Sequence, residues 1–296
     1  MKYRLTLGDA LFNLFLYTFM IVVGIVTIYP FLNLLAISFN DSLDTVRGGI
    51  YLWPRMFTWN NYLQIFLYND LLVAFKNSVL RTLIGTALGV FSGAMLAYVL
   101  SRQDFIARKP ASLFFVLTLY FSGGMIPVYM LIRDLGLINS FWVYILPNVV
   151  NVWNVFVIRS YMDGLPISLQ ESARLDGAND WTIFYRIILP LCKPVLATIG
   201  LFVAVGQWNS WFDTFLYNST NSDLTTLQYE LMKILSNTQA GASNQARLSD
   251  PSLSNQVSPE SIRASITMVA TVPILLVYPF LQRYFVKGLT LGAVKS

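Results

Sequence analysis

The sequence predicts an all-α, polytopic membrane protein with six transmembrane helices and one cytoplasmic helix-turn-helix. Hydrophobic residues make up 55% of its 296 residues and charged residues only 12%, whereas soluble domains average about 25% charged residues. Such a chain has too little charge to build a water-facing surface. Its 21 Phe, 16 Tyr and 7 Trp are typical of a protein in contact with lipid, with aromatic residues at the membrane interfaces.

Six windows without charged residues set the number of spans, because a spanning helix needs roughly 20 mostly apolar residues. They are Ala10–Asn40, Thr82–Ser101, Pro110–Ile132, Leu135–Ile158, Pro194–Phe212 and Ala264–Gln282. We predict spans over approximately residues 11–38, 72–101, 110–132, 138–159, 194–217 and 262–284, within a single domain of residues 1–296.

Several spans contain residues that predict irregular helices. The first span contains Pro30, where it should tilt, kink or end in an interfacial turn. In the third span Pro127 follows Gly123-Gly124, which predicts a break. In the fourth span three asparagines recur every three residues: Asn148, Asn151 and Asn154. They should share one helix face and either bind hydroxyls or, as we favour, join helices by hydrogen bonds.

Basic residues predict the orientation. If the N-terminus is cytoplasmic, the inner connections hold twelve Lys and Arg and the outer connections six. The inner set is Lys2, Arg4, Arg102, Arg108, Lys109, Arg159, Arg174, Arg186, Lys193, Arg283, Lys287 and Lys295, and the outer set is Arg47, Arg55, Arg133, Lys233, Arg247 and Arg263. Both termini are therefore predicted inside.

The first outer connection, residues 39–70, combines polar residues with Trp53, Trp59 and Tyr62. This composition predicts a segment that lies along the lipid headgroups as an anchor.

The last outer connection, residues 218–260, has two parts. Leu224–Leu235 has apolar residues at helical spacing, which predicts a short helix. Ser236–Pro259 is rich in Ser, Asn, Gln and Ala, which predicts a mobile polar loop. Ser258 and Pro259 should then supply the N-cap and the first turn of the last span.

The rare residue types exclude several functions. The chain has no His and one Cys, Cys192, so a His-containing catalytic triad, a His-ligated metal and a disulfide within the chain are impossible. We expect Cys192 to be a buried small residue. The pattern GxxxxGK[ST] does not occur, so we expect no nucleotide hydrolysis by this chain. We interpret the net charge of +5 as a signal of membrane topology rather than of affinity for nucleic acid.

One inner connection, residues 162–193, has the pattern of a defined structure. Ser168 and Glu171 have the spacing of a capping box, which predicts a helix that starts there. Gly177 suits a tight reversal, and an apolar pattern predicts a second short helix that ends at Pro190. The residues of that pattern are Trp181, Phe184, Tyr185 and Ile188. On this pattern alone, the hairpin could equally serve only as a link between two spans.

The same connection resembles the EAA loop of binding-protein-dependent ABC importers. That pattern reads EAA, three residues, G, nine residues, I, any residue, LP, and its matches are Glu171, Ala173, Gly177, Ile187, Leu189 and Pro190. Ser172 replaces the central Ala, a change between small residues that we expect to be tolerated.

Further matches cover most of the chain and resemble the carbohydrate-uptake branch of this family, in particular its maltose-permease-like second subunit. They are Leu165-Pro166, Leu175-Asp176-Gly177-Ala178, Trp181, Leu189-Pro190-Leu191, Asn77-Ser78, Ala97-Tyr98, Ser101-Arg102, Leu135-Gly136-Leu137, Trp208-Asn209, Phe285-Val286-Lys287-Gly288 and Gly292-Ala293-Val294-Lys295. The tail and residues 208–213 look most like permeases for complex or polysaccharide-derived oligosaccharides.

The resemblance implies that the loop sits in a cleft of a separate ATPase subunit, so that closure of the ATPase dimer moves the membrane helices. Glu171 would pair with a basic group of the ATPase, Ser172 and Ala173 would permit close approach, and Gly177 would permit the turn. The implied coupling set is Glu171, Ser172, Ala173, Asp176, Gly177, Ala178, Ile187, Leu189 and Pro190.

The resemblance also implies the partners. They are a homologous second permease, two ATPase subunits that bind ATP and Mg, an extracytoplasmic solute-binding protein and an oligosaccharide, in the lipid of a bacterial inner or plasma membrane. For the chain itself we expect no cofactor, no metal, no catalytic residue and no nucleic-acid partner.

Aromatic and amide side chains gather toward the outer half of the predicted fifth span. Sugars stack on aromatic faces and hydrogen-bond to amides in sites that are mostly apolar. The predicted pathway residues are Gln207, Trp208, Asn209, Trp211 and Phe212, beside Asp213, and of these we favour Trp208 and Asn209. The alternative is an interfacial belt with hydrogen bonds between helices.

Arg81 is a further pathway candidate, because it lies about ten residues into the predicted second span. A cation at that depth costs several kcal/mol unless it is paired or hydrated. Arg81 should therefore have a partner, for instance an acidic residue of another subunit, or face a cavity. In a cavity, with Lys76 near its mouth, it would favour anionic sugars such as uronic-acid oligosaccharides.

Three other functions compete with this one. The first is an ABC importer permease for peptides or amino acids. The second is an ion-coupled secondary transporter, which usually needs intramembrane acids that are scarce in these spans. The third is an intramembrane enzyme, against which the missing His and the few acids argue.

Overall fold

The computed structural model describes residues 7–68, 71–241 and 258–293. Within these ranges the chain is helical and has no strand, and Asn40 and Phe57 form an isolated β-bridge. The helices are α1 (Leu7–Ser38), α2 (Ser42–Val46), α3 (Asn60–Tyr68), α4 (Leu71–Ser101), α5 (Arg108–Tyr120), α6 (Met125–Asp134), α7 (Val152–Met162), α8 (Ser168–Leu175), α9 (Asp180–Leu191), α10 (Lys193–Asn209), α11 (Phe212–Tyr217), α12 (Leu227–Gly241) and α13 (Pro259–Ala293). Short 3-10 segments are Phe141–Tyr144, Leu146–Asn148 and Ser222–Leu224. The predicted all-α class is confirmed.

The chain divides into two compact units. The first consists of Met1–Asn69 and Lys233–Val272, and the second of Asp70–Met232 and Pro273–Ser296. The basic residues Lys2, Arg4, Arg247 and Lys295 and the larger part of the predicted polar loop, residues 242–257, lie outside the described residues.

Three helices of the described chain are long and apolar enough to cross a membrane: α1, α4 and Pro259–Val277 of α13. Three bent pairs pass the same test when each pair is taken together. They are α5 with α6 at 115°, Phe141–Asn148 with α7 at 47°, and α9 with α10 at 80°. By length and composition the chain therefore has three to six spans, and the predicted number is the upper limit.

The irregularities fall partly where the sequence predicts them. The break predicted beside Gly123-Gly124 is confirmed, since α5 ends at Tyr120 and α6 begins at Met125. Gly124 there has a φ of +84°, in the left-handed region that glycine adopts most readily. α1 does not end at Pro30 but continues to Ser38, so the predicted early end is wrong, while a tilt or kink at Pro30 stays a prediction.

The predicted shared face of the three asparagines is wrong. Asn148 ends a 3-10 segment and Asn151 is the N-cap of α7, where its Oδ1 accepts the N–H of Asn154 at 3.0 Å. The chain bends between the two segments, so the helical spacing on which the prediction rests is interrupted. Asn151 caps the start of α7 and does not lie on the face of a longer helix.

The predicted outer helix is displaced. Its predicted start, Leu224, lies in a 3-10 segment, and α12 runs from Leu227 to Gly241, which includes residues assigned to the polar loop. The carbonyl of Thr225 accepts a hydrogen bond from Asn77 Nδ2 at 2.9 Å. This contact holds the backbone extended at Thr225, so the helix begins only after it.

The predicted start of the last span is confirmed. Ser258 Oγ accepts the N–H of Ser261 at 3.1 Å, and Pro259 is the first residue of α13.

Small residues bring α4 close to its neighbours in the second unit. Gly85, Gly89 and Gly93 recur every four residues and so share one face of α4. A Cβ on Gly85 would lie 2.9 Å from Gln207 Cδ of α10, and a Cβ on Gly89 would lie 3.4 Å from Val203 Cγ1. Because glycine has no Cβ, the backbones of α4 and α10 can approach closely.

Candidate functional site

α8 and α9 form a helical hairpin, residues 168–191, that contains the EAA-like residues. α8 ends at Leu175, and Gly177 follows with a φ of +81°. A side chain at that left-handed position would strain the backbone. The chain thus turns at Gly177 between the two helices, as the sequence predicts.

The predicted capping box is wrong. Ile167 occupies the N-cap position of α8 with helical φ and ψ angles, and no side chain caps this end. Ser168 already lies inside the helix, whereas a capping residue needs a non-helical backbone. The side-chain cap is found on α9, where Asn179 Oδ1 accepts the N–H of Thr182 at 2.8 Å.

The second helix of the hairpin also differs from the prediction. It contains a π-helical segment, Ile183–Ile188, and continues one residue past Pro190 to Leu191. Its predicted apolar residues do not share one environment, since Phe184 and Ile188 are buried while Trp181 and Tyr185 are exposed. The exposed rings lie on the outside of the hairpin.

The predicted coupling residues divide into exposed and packed groups. The exposed residues are Glu171, Ser172, Asp176, Gly177 and Pro190. Ala173 is buried, and Ala178, Ile187 and Leu189 are partly buried against the apolar core of the second unit. Leu175, not among the predicted coupling residues, is 90% exposed. These exposed side chains are therefore accessible to another protein.

Ion pairs connect both helices of the hairpin to the end of α4. Arg102, one residue beyond α4, binds Asp104 and Asp180 at 2.7 Å each. Arg174 of α8 binds Asp104 at 2.7 Å and approaches Asp180 at 3.6 Å. Burial lowers the pKa of Arg102, but hydrogen bonds to Asp104, Asp180 and Tyr98 outweigh this effect and raise that pKa above its ordinary value. The four charged residues form one network, which we call the clamp.

Apolar packing also connects α9 to α4. Ile183, Phe184 and Ile188 of α9 are at most 2% exposed. The ring centroids of Phe184 and Tyr98 of α4 lie 5.2 Å apart. α9 is therefore fixed to α4 by a buried aromatic contact as well as by charge.

Glu171 also lines a polar cavity of about 220 Å³. The cavity is bounded by residues that follow α4, by the end of α7 and by α8. Its lining residues are Ser101, Arg102, Gln103, Asp104, Met162, Asp163, Leu165, Ile167, Gln170, Glu171 and Arg174.

Arg81 lies in a second buried cluster of the same unit. Its side chain is 1% exposed and forms an ion pair with Asp213, with Nη1 donating to Oδ1 at 3.1 Å. Its Nη2 also donates to Gln207 Oε1 at 3.1 Å, and its guanidinium lies 4.5 Å from the ring centroid of Tyr144. The sequence predicts that Arg81 needs a partner, and that partner, Asp213, lies in the same chain.

The remaining pathway candidates fall into different environments. Trp208 is buried and packs edge-on against Phe75 at 6.2 Å between ring centroids. Asn209 is exposed, and its Oδ1 accepts a hydrogen bond from Gln228 Nε2 at 3.3 Å. Trp211 and Phe212 form an aromatic group together with Phe215, and Phe212 and Phe215 are exposed. Stacking surface is therefore available at this group, whereas Arg81 and Gln207 are occupied by their internal contacts.

Sequence reasoning missed three elements of these sites. It listed Asp213 among polar neighbours without pairing it with Arg81, although a cation deep in one predicted span and the single acid of another are a signal for such a pair. Tyr144 and the clamp have no comparable signal, because both depend on how distant segments meet in the fold.

Comparisons with known proteins identify sugar-transport permeases as relatives. The sequence is 38% identical to the polygalacturonan/rhamnogalacturonan transport system permease protein YtcP of Bacillus subtilis, over 97% of this chain and 99% of that protein. It is 32% identical to the arabinooligosaccharides transport system permease protein AraQ of Halalkalibacterium halodurans, over 93% of each. No protein-family model matches the chain.

Two solved structures have similar folds. One is a bacterial ABC transporter involved in the import of the acidic polysaccharide alginate, with a TM-score of 0.82 and 25% identity over 96% of this chain and 100% of that chain. The other is a bacterial alginate ABC transporter in complex with an alginate pentasaccharide-bound periplasmic protein. Its TM-score is 0.58 at 14% identity, over 94% of this chain and 96% of that chain, so it shows the fold alone.

The Arg81 cluster yields a stability prediction. Asp213→Asn leaves the buried guanidinium without a counter-charge, and we expect the free energy of unfolding to fall by about 3–5 kcal/mol. Thermal and denaturant unfolding of the purified protein in detergent, followed by tryptophan fluorescence, measures this change. The control is Asp223→Asn, which changes an exposed acid of the same unit.

The double variant Arg81→Met with Asp213→Leu removes both charges together. We expect it to be more stable than Asp213→Asn, because no unmatched charge remains. If Asp213→Asn unfolds like the control, the ion pair is not a stabilising element.

Proposed function

This chain belongs to the permease subunits of bacterial ABC importers for sugars, and we propose that it forms one half of the membrane pathway of an oligosaccharide importer. The observation that carries the proposal is the 38% identity to a polygalacturonan/rhamnogalacturonan permease over almost the whole of both chains. The exposed, EAA-like hairpin agrees with this function, because a subunit without its own ATPase site needs a surface that receives motion from another subunit. The chain does no covalent chemistry.

We infer six spans with the limits predicted from the sequence. Two bent pairs, α5 with α6 and Phe141–Asn148 with α7, add two spans to the three continuous helices. α10 without α9 supplies the sixth. The excess of basic residues places both termini and the hairpin in the cytoplasm. Residues 39–70 and 218–260 then lie on the outer side, where they meet an extracytoplasmic solute-binding protein.

The proposed substrate class is oligosaccharides derived from polysaccharides, including acidic ones. The names of the relatives, polygalacturonan, rhamnogalacturonan and arabinooligosaccharide permeases, and the alginate transporter of similar fold support it. Because Asp213 neutralises Arg81, Arg81 is not a substrate contact in this proposal. Phe212, Phe215 and the half-buried Trp211 offer the stacking surface, and the exposed Lys76 offers a positive charge.

Uptake by the assembled importer tests the substrate class. Proteoliposomes that contain this chain, its permease partner and the ATPase, with the matching binding protein outside, receive radiolabelled oligogalacturonides, arabinooligosaccharides or dipeptides. We expect ATP-dependent accumulation of at least one oligosaccharide and none of the dipeptides. Accumulation of peptides alone, or uptake that persists without the ATPase, would contradict the proposal.

The coupling mechanism follows from the geometry of the hairpin. Glu171 and Leu175 are exposed for contact with an ATPase, which supplies ATP and Mg binding. A displacement of α8 or α9 reaches α4 through the clamp and through Phe184. The packing of α4 against α10 carries it on to the spans around the pathway.

The first coupling prediction concerns Glu171 and Gly177. Glu171→Lys reverses the charge offered to the ATPase, and Gly177→Val forces a branched side chain into a left-handed backbone. We expect both variants to reach the membrane and assemble, while the sugar transported per ATP hydrolysed falls at least tenfold, equivalent to about 1.4 kcal/mol of lost coupling.

Ser168→Ala is the matched control, because Ser168 is exposed and makes no cap bond. It should transport normally. Normal coupling in both Glu171→Lys and Gly177→Val would overturn the assigned role.

The second coupling prediction concerns the clamp. Asp104→Asn keeps the side-chain shape but removes the carboxylate that binds both Arg102 and Arg174. Because Asp104 is 53% exposed, we expect a stability change of only about 0–1 kcal/mol together with a clear loss of sugar transported per ATP hydrolysed.

Asp134→Asn removes a surface ion pair with Arg133 within one helix and should preserve coupling. If the Asp104 and Asp134 variants behave alike, the clamp does not transmit motion.

A further inference from the structure

The chain folds back along α1 after that helix ends. The side-chain Nδ2 of Asn33 donates hydrogen bonds to the carbonyl oxygens of Ile50 at 2.8 Å and Tyr51 at 2.9 Å. Asn33 lies five residues before Ser38, the last residue of α1, which corresponds to about 7.5 Å along the helix axis. The segment therefore does not stay at the end of α1 but returns beside its last turns.

The next residue, Leu52, borders the apolar surface of α1. Leu52 lines an apolar groove of about 430 Å³ together with residues of α1. The lining residues are Ile21, Gly24, Ile25, Ile28, Tyr29, Leu32 and Leu52. Leu32 and Ile28 lie six and ten residues before the end of α1, or roughly 9 and 15 Å along its axis. Leu52 thus borders a groove whose other walls lie in the hydrocarbon if α1 crosses the membrane.

The tip of this fold-back is apolar and uncovered. Tyr51, Leu52 and Trp53 are 65%, 51% and 83% exposed and contain no charge. Tyr and Trp are the residues that membrane interfaces favour. We call residues 51–53 the tip.

The hydrogen bonds of Asn33 indicate which medium surrounds the tip. Carbonyl groups in water accept hydrogen bonds from the solvent, whereas a carbonyl without a hydrogen-bond donor in hydrocarbon costs several kcal/mol. Asn33 is a polar residue in an otherwise apolar stretch of α1, and its two bonds satisfy the carbonyls that the returning chain brings to this depth. Such a contact is what a loop needs in order to enter lipid.

A polar scaffold fixes the fold-back. Asp44 accepts hydrogen bonds from Asn40 at 3.1 Å and from Arg55 at 2.9 Å, and Arg55 also donates to the carbonyl of Gly48 at 2.7 Å. The hydrogen bond from Asn40 holds the pKa of Asp44 below its ordinary value against the opposing effect of burial. Gly48 has a φ of +72°, a turn conformation that glycine adopts readily. The scaffold joins the residues before and after the tip, so the tip is presented in one position.

We propose that residues 51–53 insert into the lipid leaflet on the side of the membrane where α1 ends. The apolar surface of the tip is continuous with that of α1, whose spanning window has no residue buried within the chain. Lipid acyl chains are the occupant of this surface. The proposal goes beyond the transport function and holds for either orientation of the chain.

Spin labels on single cysteines test the insertion. In a Cys192→Ser background, Leu52→Cys and the control Leu43→Cys are labelled with a nitroxide in the assembled importer, in vesicles of phosphatidylethanolamine and phosphatidylglycerol. Leu43 is 66% exposed on α2 within the same outer connection. Collision rates with oxygen, which enters lipid, and with a water-soluble nickel chelate are measured for each label.

We expect the Leu52 label to collide with oxygen and to be shielded from nickel, with an oxygen-to-nickel ratio several-fold above that of the Leu43 label. Adding Asn33→Leu to the Leu52→Cys chain removes the donor to both carbonyls and should lower the ratio at Leu52. A Leu52 label as accessible to nickel as the Leu43 label overturns the proposal in favour of water. A Leu52 label shielded from both reagents overturns it in favour of a protein partner.

Discussion

The rigid attachment of the hairpin to α4 is the interaction on which the transport account depends. A permease subunit without an ATPase site can move its pathway only if motion received at its surface reaches the spans. The clamp joins α8 and α9 to the end of α4 through Arg102 and Asp104, and Phe184 adds a buried aromatic contact. Exposed ion pairs contribute little to stability, so in this account the clamp fixes the orientation and register of the hairpin on α4. The buried aromatic contact stabilises the attachment.

α4 connects the hairpin to the second cluster of the same unit. Arg102 and Arg81 are 21 residues apart in the sequence, which corresponds to about 31 Å along a continuous helix. Between them, Gly85 and Gly89 bring α4 into close contact with α10. Arg81 then binds Gln207 and Asp213, near the C-terminal end of α10 and just beyond it. One continuous helix therefore joins the clamp at its C-terminal end to a buried ion pair in its N-terminal half.

Local patterns in the sequence predict much of the fold but little of its long-range pairing. The apolar windows, the break beside Gly124 and the turn at Gly177 follow from hydropathy and glycine chemistry. The predicted capping box at Ser168 is wrong because the backbone at Ile167 is already helical. The spacing of Ser168 and Glu171 alone does not indicate the backbone conformation of the preceding residue. The face predicted for Asn151 fails because the chain bends there. The partner of Arg81 is fixed only when α4 meets α11, so a search within one span misses Asp213.

The most direct test of the account is a cross-link from the turn between α8 and α9 to the ATPase. Leu175 is 90% exposed beside Gly177, and Leu175→Cys in the Cys192→Ser background gives one reactive thiol in this chain. In the transporting assembly, a short thiol cross-linker should join Leu175→Cys to the ATPase subunit in a nucleotide-dependent manner. Leu135→Cys, 62% exposed and proposed to lie on the outer side, should give no such product. Failure of the Leu175 thiol to reach the ATPase in an assembly that transports sugar would contradict the account.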